Sequence, residues 1–168
     1  EIKVYPLHST REVKNGLEKK YSHLVFEDVK PIITNLRMVK SDFEIECMKK
    51  AIERTNRGLK DLINYMKPGL FEYQLADRFE FYGRELSRDG LSFPSIVARG
   101  NNGVILHYPT QEDRIKDNSL VLLDLGYRYE NYCSDISRTY PINGVFNENQ
   151  RKVYTAVLNC NKAVIEYI

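Results

Sequence analysis

Two aspartates stand eleven residues apart in a segment that is otherwise typical of β-strands. Asp124 follows the apolar run Leu120–Leu123, and Asp135 comes just before a second strand-like run. Asp is a poor strand former, so two of them here are unusual. An apolar run of this kind indicates a strand buried on both faces, where a carboxylate has to be paired or bound to a metal.

The geometry of an antiparallel hairpin permits these two carboxylates to share a metal. If Tyr129 and Glu130 form the loop, Asp124 and Asp135 lie directly opposite, with Cβ atoms about 4.5–5.5 Å apart. Carboxylates that close repel and raise each other's pKa unless a cation such as manganese lies between them. Asn131 suits a left-handed turn position better than Tyr129 or Glu130 does. A loop built around Asn131 would shift the pairing of the two strands, whereas a bulge at Asn131 would keep Asp124 opposite Asp135. The alternative is that both aspartates face water, and spacing alone does not decide between the two.

His107 is the second candidate for chemistry. A single His is more often a structural hydrogen bonder than a catalytic group. His107, however, follows the loop of Gly and Asn at residues 100–103, where the chain can approach a ligand closely. It is therefore a candidate donor to a substrate carbonyl or to a developing oxyanion.

Helices and strands must position these side chains. Ser41 and Glu44 fit a capping box, which predicts a helix of about 25 residues that Pro68-Gly69 stops. Its apolar side chains at helical spacing are predicted to face the core: Ile45, Met48, Ile52, Leu59, Leu62, Ile63 and Met66. Further helices are expected at residues 11–20, 71–87 and from Asn147 onward; strands or extended runs at 22–26, 28–36, 95–99, 104–108, 119–125 and 127–140.

This order of elements predicts an α+β fold in which helices back an antiparallel sheet. The boundary between two domains is placed at residues 37–40, because the first forty residues are too few to bury a core. Residues 1–36 would then belong to one domain and residues 37–168 to the next. Both ends fall in helix-like sequence, so we expect the chain to be a fragment.

Composition excludes several classes of protein. A hydrophobic content of 42% argues against disorder, and a net charge of +2 does not suggest binding to nucleic acid or a membrane surface. No apolar run reaches the roughly 20 residues of a membrane span. The three cysteines lack CxxC spacing, so we expect reduced thiols in a cytoplasmic protein: Cys47, Cys133 and Cys160.

Four segments carry a family resemblance: "LRMVKSDFEIECMKKA", "MKPGLFEYQLADRFE", "SFPSIVARGNNGVILHYPT" and "DNSLVLLDLGYRYENYCSDISRTYPINGVFNENQRKVYTAVL". Together they resemble the Xaa-Pro aminopeptidases of the pita-bread metallopeptidase family. The resemblance implies an incomplete pita-bread catalytic domain, preceded by the end of a creatinase-like N-terminal domain.

The resemblance also implies a site with two divalent metal ions, usually Mn²⁺. Asp124 would bind one ion, Asp135 would bridge both, and His107 would contact the substrate. Ser137 stands where the family often has Thr, which keeps a hydroxyl for hydrogen bonding to a ligand. In the family, one His and two Glu complete the site beyond residue 168, so we expect this chain alone to be inactive.

The implied reaction is hydrolysis of the bond between the first residue of a peptide and a following proline. A cytoplasmic homo-oligomer that binds neither nucleic acid nor membranes is expected. Two alternatives stay open: a prolidase that acts on Xaa-Pro dipeptides, and a non-catalytic binding module of the same fold.

Overall fold

The computed structural model describes residues 2–4, 11–86 and 88–168, which divide into two compact units, residues 1–45 and 46–168. The predicted α+β class with an antiparallel sheet and helices is confirmed. The elements in chain order are β1 (Ile2–Val4), α1 (Arg11–Lys20), β2 (Leu24–Phe26), α2 (Lys30–Met38), α3 (Asp42–Tyr65), α4 (Glu72–Leu86), β3 (Ile96–Arg99), a 3-10 helix (Gly100–Val104), β4 (Leu120–Leu125), β5 (Arg128–Tyr129), β6 (Tyr132–Cys133), β7 (Ile136–Pro141) and α5 (Glu148–Tyr167). Within the described ranges, no helix has the length and apolar character needed to cross a bilayer. The predicted domain boundary between residues 36 and 37 stays a prediction.

The first unit contains a parallel pair of strands, β1 and β2. The prediction that residues 28–36 are extended is wrong, since helix α2 begins at Lys30. Pro31 lies in the first turn, where a missing N–H costs nothing and the fixed φ suits a helix. The Asp28 side chain also accepts a hydrogen bond from the Lys30 N–H at 2.8 Å, which favours a helix start there.

Helix α3 begins with the predicted capping box. The Ser41 N–H donates to the Glu44 carboxylate at 2.7 Å, and the Glu44 N–H donates back to Ser41 Oγ at 3.4 Å. The predicted apolar face is partly wrong, because Ile45, Ile52 and Ile63 are exposed. The buried face instead contains Cys47, Ala51, Thr55, Gly58, Leu59 and Leu62. Small residues replace large ones there because an aromatic side chain from the hairpin approaches the helix closely.

The three-stranded antiparallel sheet β3–β4–β7 carries the site. Side chains of β4 alternate: Val121, Leu123 and Leu125 are buried in the core, whereas Leu122 and Asp124 on the other face are half-buried. The prediction that β4 is buried on both faces is therefore wrong. The core between sheet and helices also contains Leu59, Leu62, Leu75, Phe79, Val97, Ile115 and Ile142.

Two further segments differ from their predictions. Residues 104–108 are not extended, because the 3-10 helix runs to Val104 and a turn follows it. Residues 127–140 are not one strand but three, β5, β6 and β7, since a turn and a short irregular stretch interrupt them. Helix α5 begins as predicted, with Asn147 and Gln150 forming a reciprocal capping box.

Candidate metal centre

Asp124 and Asp135 lie on the two arms of a hairpin that runs from β4 to β7. Asp124 pairs with Ser137, so it does not lie directly opposite Asp135 as a loop at Tyr129 and Glu130 would require. The turn residues are Glu130 and Asn131, with φ of 48° and 67°, as a type I′ turn requires. The preference of Asn131 for a left-handed position is confirmed, and a turn at Tyr129 and Glu130 would have displaced the register by two residues.

The two aspartates nevertheless meet. Asp135 directly precedes β7, and its side chain interacts with that of Asp124. The carboxyl groups of Asp135 and Asp124 share a hydrogen bond. Burial first, then the charge of Asp124 and this hydrogen bond, raise the pKa of Asp135. All three causes act in one direction and disfavour the charged form of Asp135.

This pair fits a divalent cation. Carboxylate oxygens are the ligands that hard cations prefer, and a cation would relieve the repulsion between Asp124 and Asp135. Ser137 Oγ donates a 2.7 Å hydrogen bond to Asp124 Oδ1 and so orients that carboxylate. Within residues 2–4, 11–86 and 88–168, no group of three or more His, Cys, Asp or Glu side chains could hold a metal. The described residues therefore bring together two candidate ligands, Asp124 and Asp135.

A buried network that the sequence did not predict anchors the hairpin between the two aspartates. Thr55 Oγ1 of α3 and Ser134 Oγ are 2.6 Å apart. The Tyr127 N–H donates to Thr55 Oγ1 at 2.9 Å, and the Ser134 N–H donates to the Tyr127 carbonyl at 3.2 Å. Because Ser134 directly precedes Asp135, this network fixes the backbone from which the second carboxylate projects.

Gly126 allows the two arms of the hairpin to approach at the same point. A Cβ at this position would lie 3.0 Å from the Ser134 carbonyl carbon and closer still to its oxygen. Only a residue without a side chain fits there. The Gly in "LDLGY" was the available sequence signal for this close approach.

The ring of Tyr127 attaches the hairpin to helices α3 and α4. It stacks on Phe79 of α4 with centroids 4.2 Å apart, and its hydroxyl donates to the Phe79 carbonyl. Gly58 of α3 and Gly83 of α4 leave room for the ring, because a Cβ at either would collide with it. Burial raises the pKa of the Tyr127 hydroxyl, which therefore stays protonated as a donor.

His107 lies in the turn after the 3-10 helix, exposed and with a φ of 52°. The 3-10 helix packs against β4, where a Cβ on Gly103 would lie 3.7 Å from Leu122 Cβ. Leu122 and Asp124 are two residues apart on one face of β4. The segment that leads to His107 therefore lies on the face of the sheet that carries the aspartates.

Comparison with protein families identifies the second unit. Residues 46–168 match the model of metallopeptidase family M24. The chain belongs to this family. The matched range includes His107, Asp124 and Asp135, and the predicted family resemblance is confirmed.

Several relatives of this M24 chain are named Xaa-Pro aminopeptidase. The Xaa-Pro aminopeptidase of Escherichia coli (strain K12) is 39% identical over 134 residues, which are 78% of this chain and 30% of that protein. Two solved structures of Escherichia coli aminopeptidase P, a variant in complex with substrate and a zinc-substituted form in complex with product, are each 32% identical. Each has a TM-score of 0.82 and matches 94% of this chain and 39% of that chain, which confirms the predicted pita-bread fold.

This M24 chain spans about a third of the length of the curated relatives it matches.

Proposed function

We propose that the protein is a metal-dependent aminopeptidase that hydrolyses the bond between the first residue of a peptide and a following proline. The observation that carries this proposal is that Asp124 and Asp135 lie together on the hairpin, where Ser137 Oγ donates a hydrogen bond to Asp124 Oδ1. Membership of family M24 and the similarity to relatives named Xaa-Pro aminopeptidase support the choice of reaction.

In this proposal Asp124 and Asp135 would serve as ligands of divalent cations, with Mn²⁺ as the proposed cation. When bound, such cations lower the pKa of a water molecule and polarise a carbonyl group. Ser137 keeps the Asp124 carboxylate in one orientation through its hydrogen bond to Oδ1. The zinc-substituted structure of Escherichia coli aminopeptidase P supports a divalent metal.

His107 contacts the substrate in this proposal. Its side chain is exposed, and its backbone is held in a left-handed conformation that is uncommon outside glycine. Such a side chain is free to donate a hydrogen bond to a carbonyl oxygen and to stabilise the negative charge that develops there. A proline in the second position has no N–H, so recognition has to depend on its ring and on neighbouring carbonyl groups.

Peptide hydrolysis by the intact protein tests this proposal. We expect cleavage of Xaa-Pro-Yaa tripeptides, loss of cleavage with a chelator, and recovery with Mn²⁺. Matched Xaa-Ala-Yaa peptides serve as the control for proline specificity. Cleavage of Xaa-Pro dipeptides alone would favour a prolidase, and no metal-dependent cleavage of any of these peptides would overturn the proposal.

The 168-residue chain expressed by itself is expected to be inactive, because its described residues offer only the two aspartates as metal ligands. Hydrolysis at the rate of the intact protein would contradict this. We further propose that the protein forms a homo-oligomer, which gel filtration tests, and that it is located in the cytoplasm, which cell fractionation tests.

A further inference from the structure

Glu72 is a fully buried carboxylate that the proposed chemistry does not use. It lies in the first turn of α4, has an exposed fraction of 0%, and shares the buried face of the helix with Leu75 and Phe79. A buried carboxylate is unfavourable unless several donors satisfy it. The identity of those donors therefore indicates what Glu72 holds in place.

Four donors converge on Glu72, two on each oxygen. Oε1 accepts from the Arg99 backbone N–H at 2.7 Å and from the Asn102 side-chain amide at 2.9 Å. Oε2 accepts from the Tyr108 hydroxyl at 3.1 Å and from the Asp113 backbone N–H at 3.1 Å. One side chain of α4 thus holds the beginning, the middle and the end of a single segment.

His107 lies inside this segment, directly before Tyr108. Its φ of 52° is a conformation that a residue other than glycine keeps only when the surrounding structure imposes it. His107 itself is exposed, whereas Tyr108 is 7% exposed and bound to Glu72. The backbone conformation of His107 is therefore imposed through its buried neighbour.

A second set of contacts closes the same segment without Glu72. Arg99 and Asp113 form an ion pair at 2.5 Å, and the Asn102 amide donates to the Asp113 carboxylate at 3.0 Å. The hydrogen bond from Asn102, then that from Arg99, lower the pKa of Asp113. Because these contacts remain when Glu72 is changed, a variant at Glu72 retains a closed segment and is suitable for measurement.

We propose that Glu72 is a positioning residue for His107: its buried carboxylate fixes the turn from which His107 reaches the substrate. This inference rests on the proposed function for the role of His107. Whether Glu72 holds the turn in place can be measured independently of peptidase activity.

Glu72→Gln is the most conservative test, because an amide keeps the shape of the side chain. Its NH2 group, however, is a donor and would face two other donors where a carboxylate oxygen accepts two hydrogen bonds. In the intact protein we expect kcat/KM for an Xaa-Pro peptide to fall by about 10- to 100-fold, the loss typical of a small misplacement. Asp61→Asn is the matched control, since it also removes one carboxylate, from the 2.7 Å ion pair with Arg78. It should leave kcat/KM within about twofold.

A double-mutant cycle with His107→Ala separates positioning from general damage. If Glu72 acts through His107, Glu72→Gln should lower kcat/KM by no more than about twofold in the His107→Ala background. An equal loss in both backgrounds, or a His107→Ala variant with wild-type kcat/KM, would overturn the inference.

Amide hydrogen exchange tests the placement without any activity. In Glu72→Gln we expect exchange to rise at least about tenfold at Arg99, Asp113 and the turn around His107. Exchange in the hairpin arms at Tyr127 should not change. Unchanged exchange, or an equal rise at both places, would overturn the inference. If exchange rises at the turn but the intact protein has no peptidase activity, Glu72 does hold the turn and the proposed function is wrong instead.

Discussion

Gly126→Ala should disturb the metal centre from inside the hairpin. The new methyl group would meet the Ser134 backbone, whose carbonyl carbon would lie only 3.0 Å away, and Ser92 Oγ at the same distance. Backbone atoms cannot rotate away as the end of a long side chain can. The arm that carries Ser134 must therefore move, and Asp135 moves with it.

The size of the effect follows from this contact. Non-bonded heavy atoms settle at about 3.5–4.0 Å, and the Ser134 carbonyl oxygen would lie far inside this distance, so the Ser134 backbone has to retreat by about 1.5–2 Å. Overpacking of this kind costs about 1–3 kcal/mol, from which the stabilising effect of Gly→Ala on the unfolded chain subtracts about 0.4–1 kcal/mol. A net loss of up to about 2.6 kcal/mol should lower the Tm of a chain of this length by up to about 10 °C. Metal affinity should fall by about 10- to 100-fold, as for other changes that disorient a ligand.

Thermal unfolding of the chain by circular dichroism and calorimetric titration of the intact protein with Mn²⁺ measure the two effects. Gly16→Ala is the matched control, because Gly16 lies within α1 and a Cβ there meets no atom within 4 Å. This control should raise the Tm slightly, since Ala favours a helix. A Gly126→Ala protein with wild-type Tm and wild-type affinity for Mn²⁺ would refute the reasoning about the hairpin.

Two further substitutions test how the hairpin is attached to the helices. Gly83→Ala places a Cβ 2.6 Å from Tyr127 Cζ, so chemical denaturation should show that the free energy of unfolding falls by about 1–3 kcal/mol. Wild-type stability would mean that the Tyr127 ring moves freely. Thr55→Val keeps the shape but removes the hydroxyl that contacts Tyr127 and Ser134, which should cost about 1–3 kcal/mol. The exposed Thr155→Val is its control, and equal stability of the two variants would contradict the role of the Thr55 hydroxyl.

Local signals in the sequence predicted much of the fold. The Ser41–Glu44 capping box and the Asn147 cap correctly placed the starts of α3 and α5, because both act within one helical turn. Pro31 was misinterpreted as a sign of extended chain, since the same residue also suits a first helical turn. Proline alone does not distinguish these two uses.

The candidate site was less predictable because its geometry depends on distant contacts. The pairing of Asp124 with Ser137 follows from a turn at Glu130 and Asn131, and Glu130 is not a residue that favours positive φ. The contact between Thr55 and Ser134 joins residues 79 apart in the chain, and no local pattern encodes it.

Glu72 did leave a signal in the sequence. It lies three residues before Leu75 and seven before Phe79, at the helical spacing that predicts a position on the buried face. A charged residue at such a position indicates a buried hydrogen-bonding centre.

Titration of the intact protein and its Asp135→Asn variant with Mn²⁺, together with an Xaa-Pro hydrolysis assay on the same samples, tests whether the aspartate pair is a metal centre. The substitution removes the charge but keeps the size of the side chain. We predict that the wild-type protein binds two Mn²⁺ per chain and cleaves the peptide, and that Asp135→Asn loses both properties together. An Asp135→Asn protein that binds Mn²⁺ with wild-type stoichiometry and cleaves at the wild-type rate would contradict the assignment of Asp135 to the metal centre.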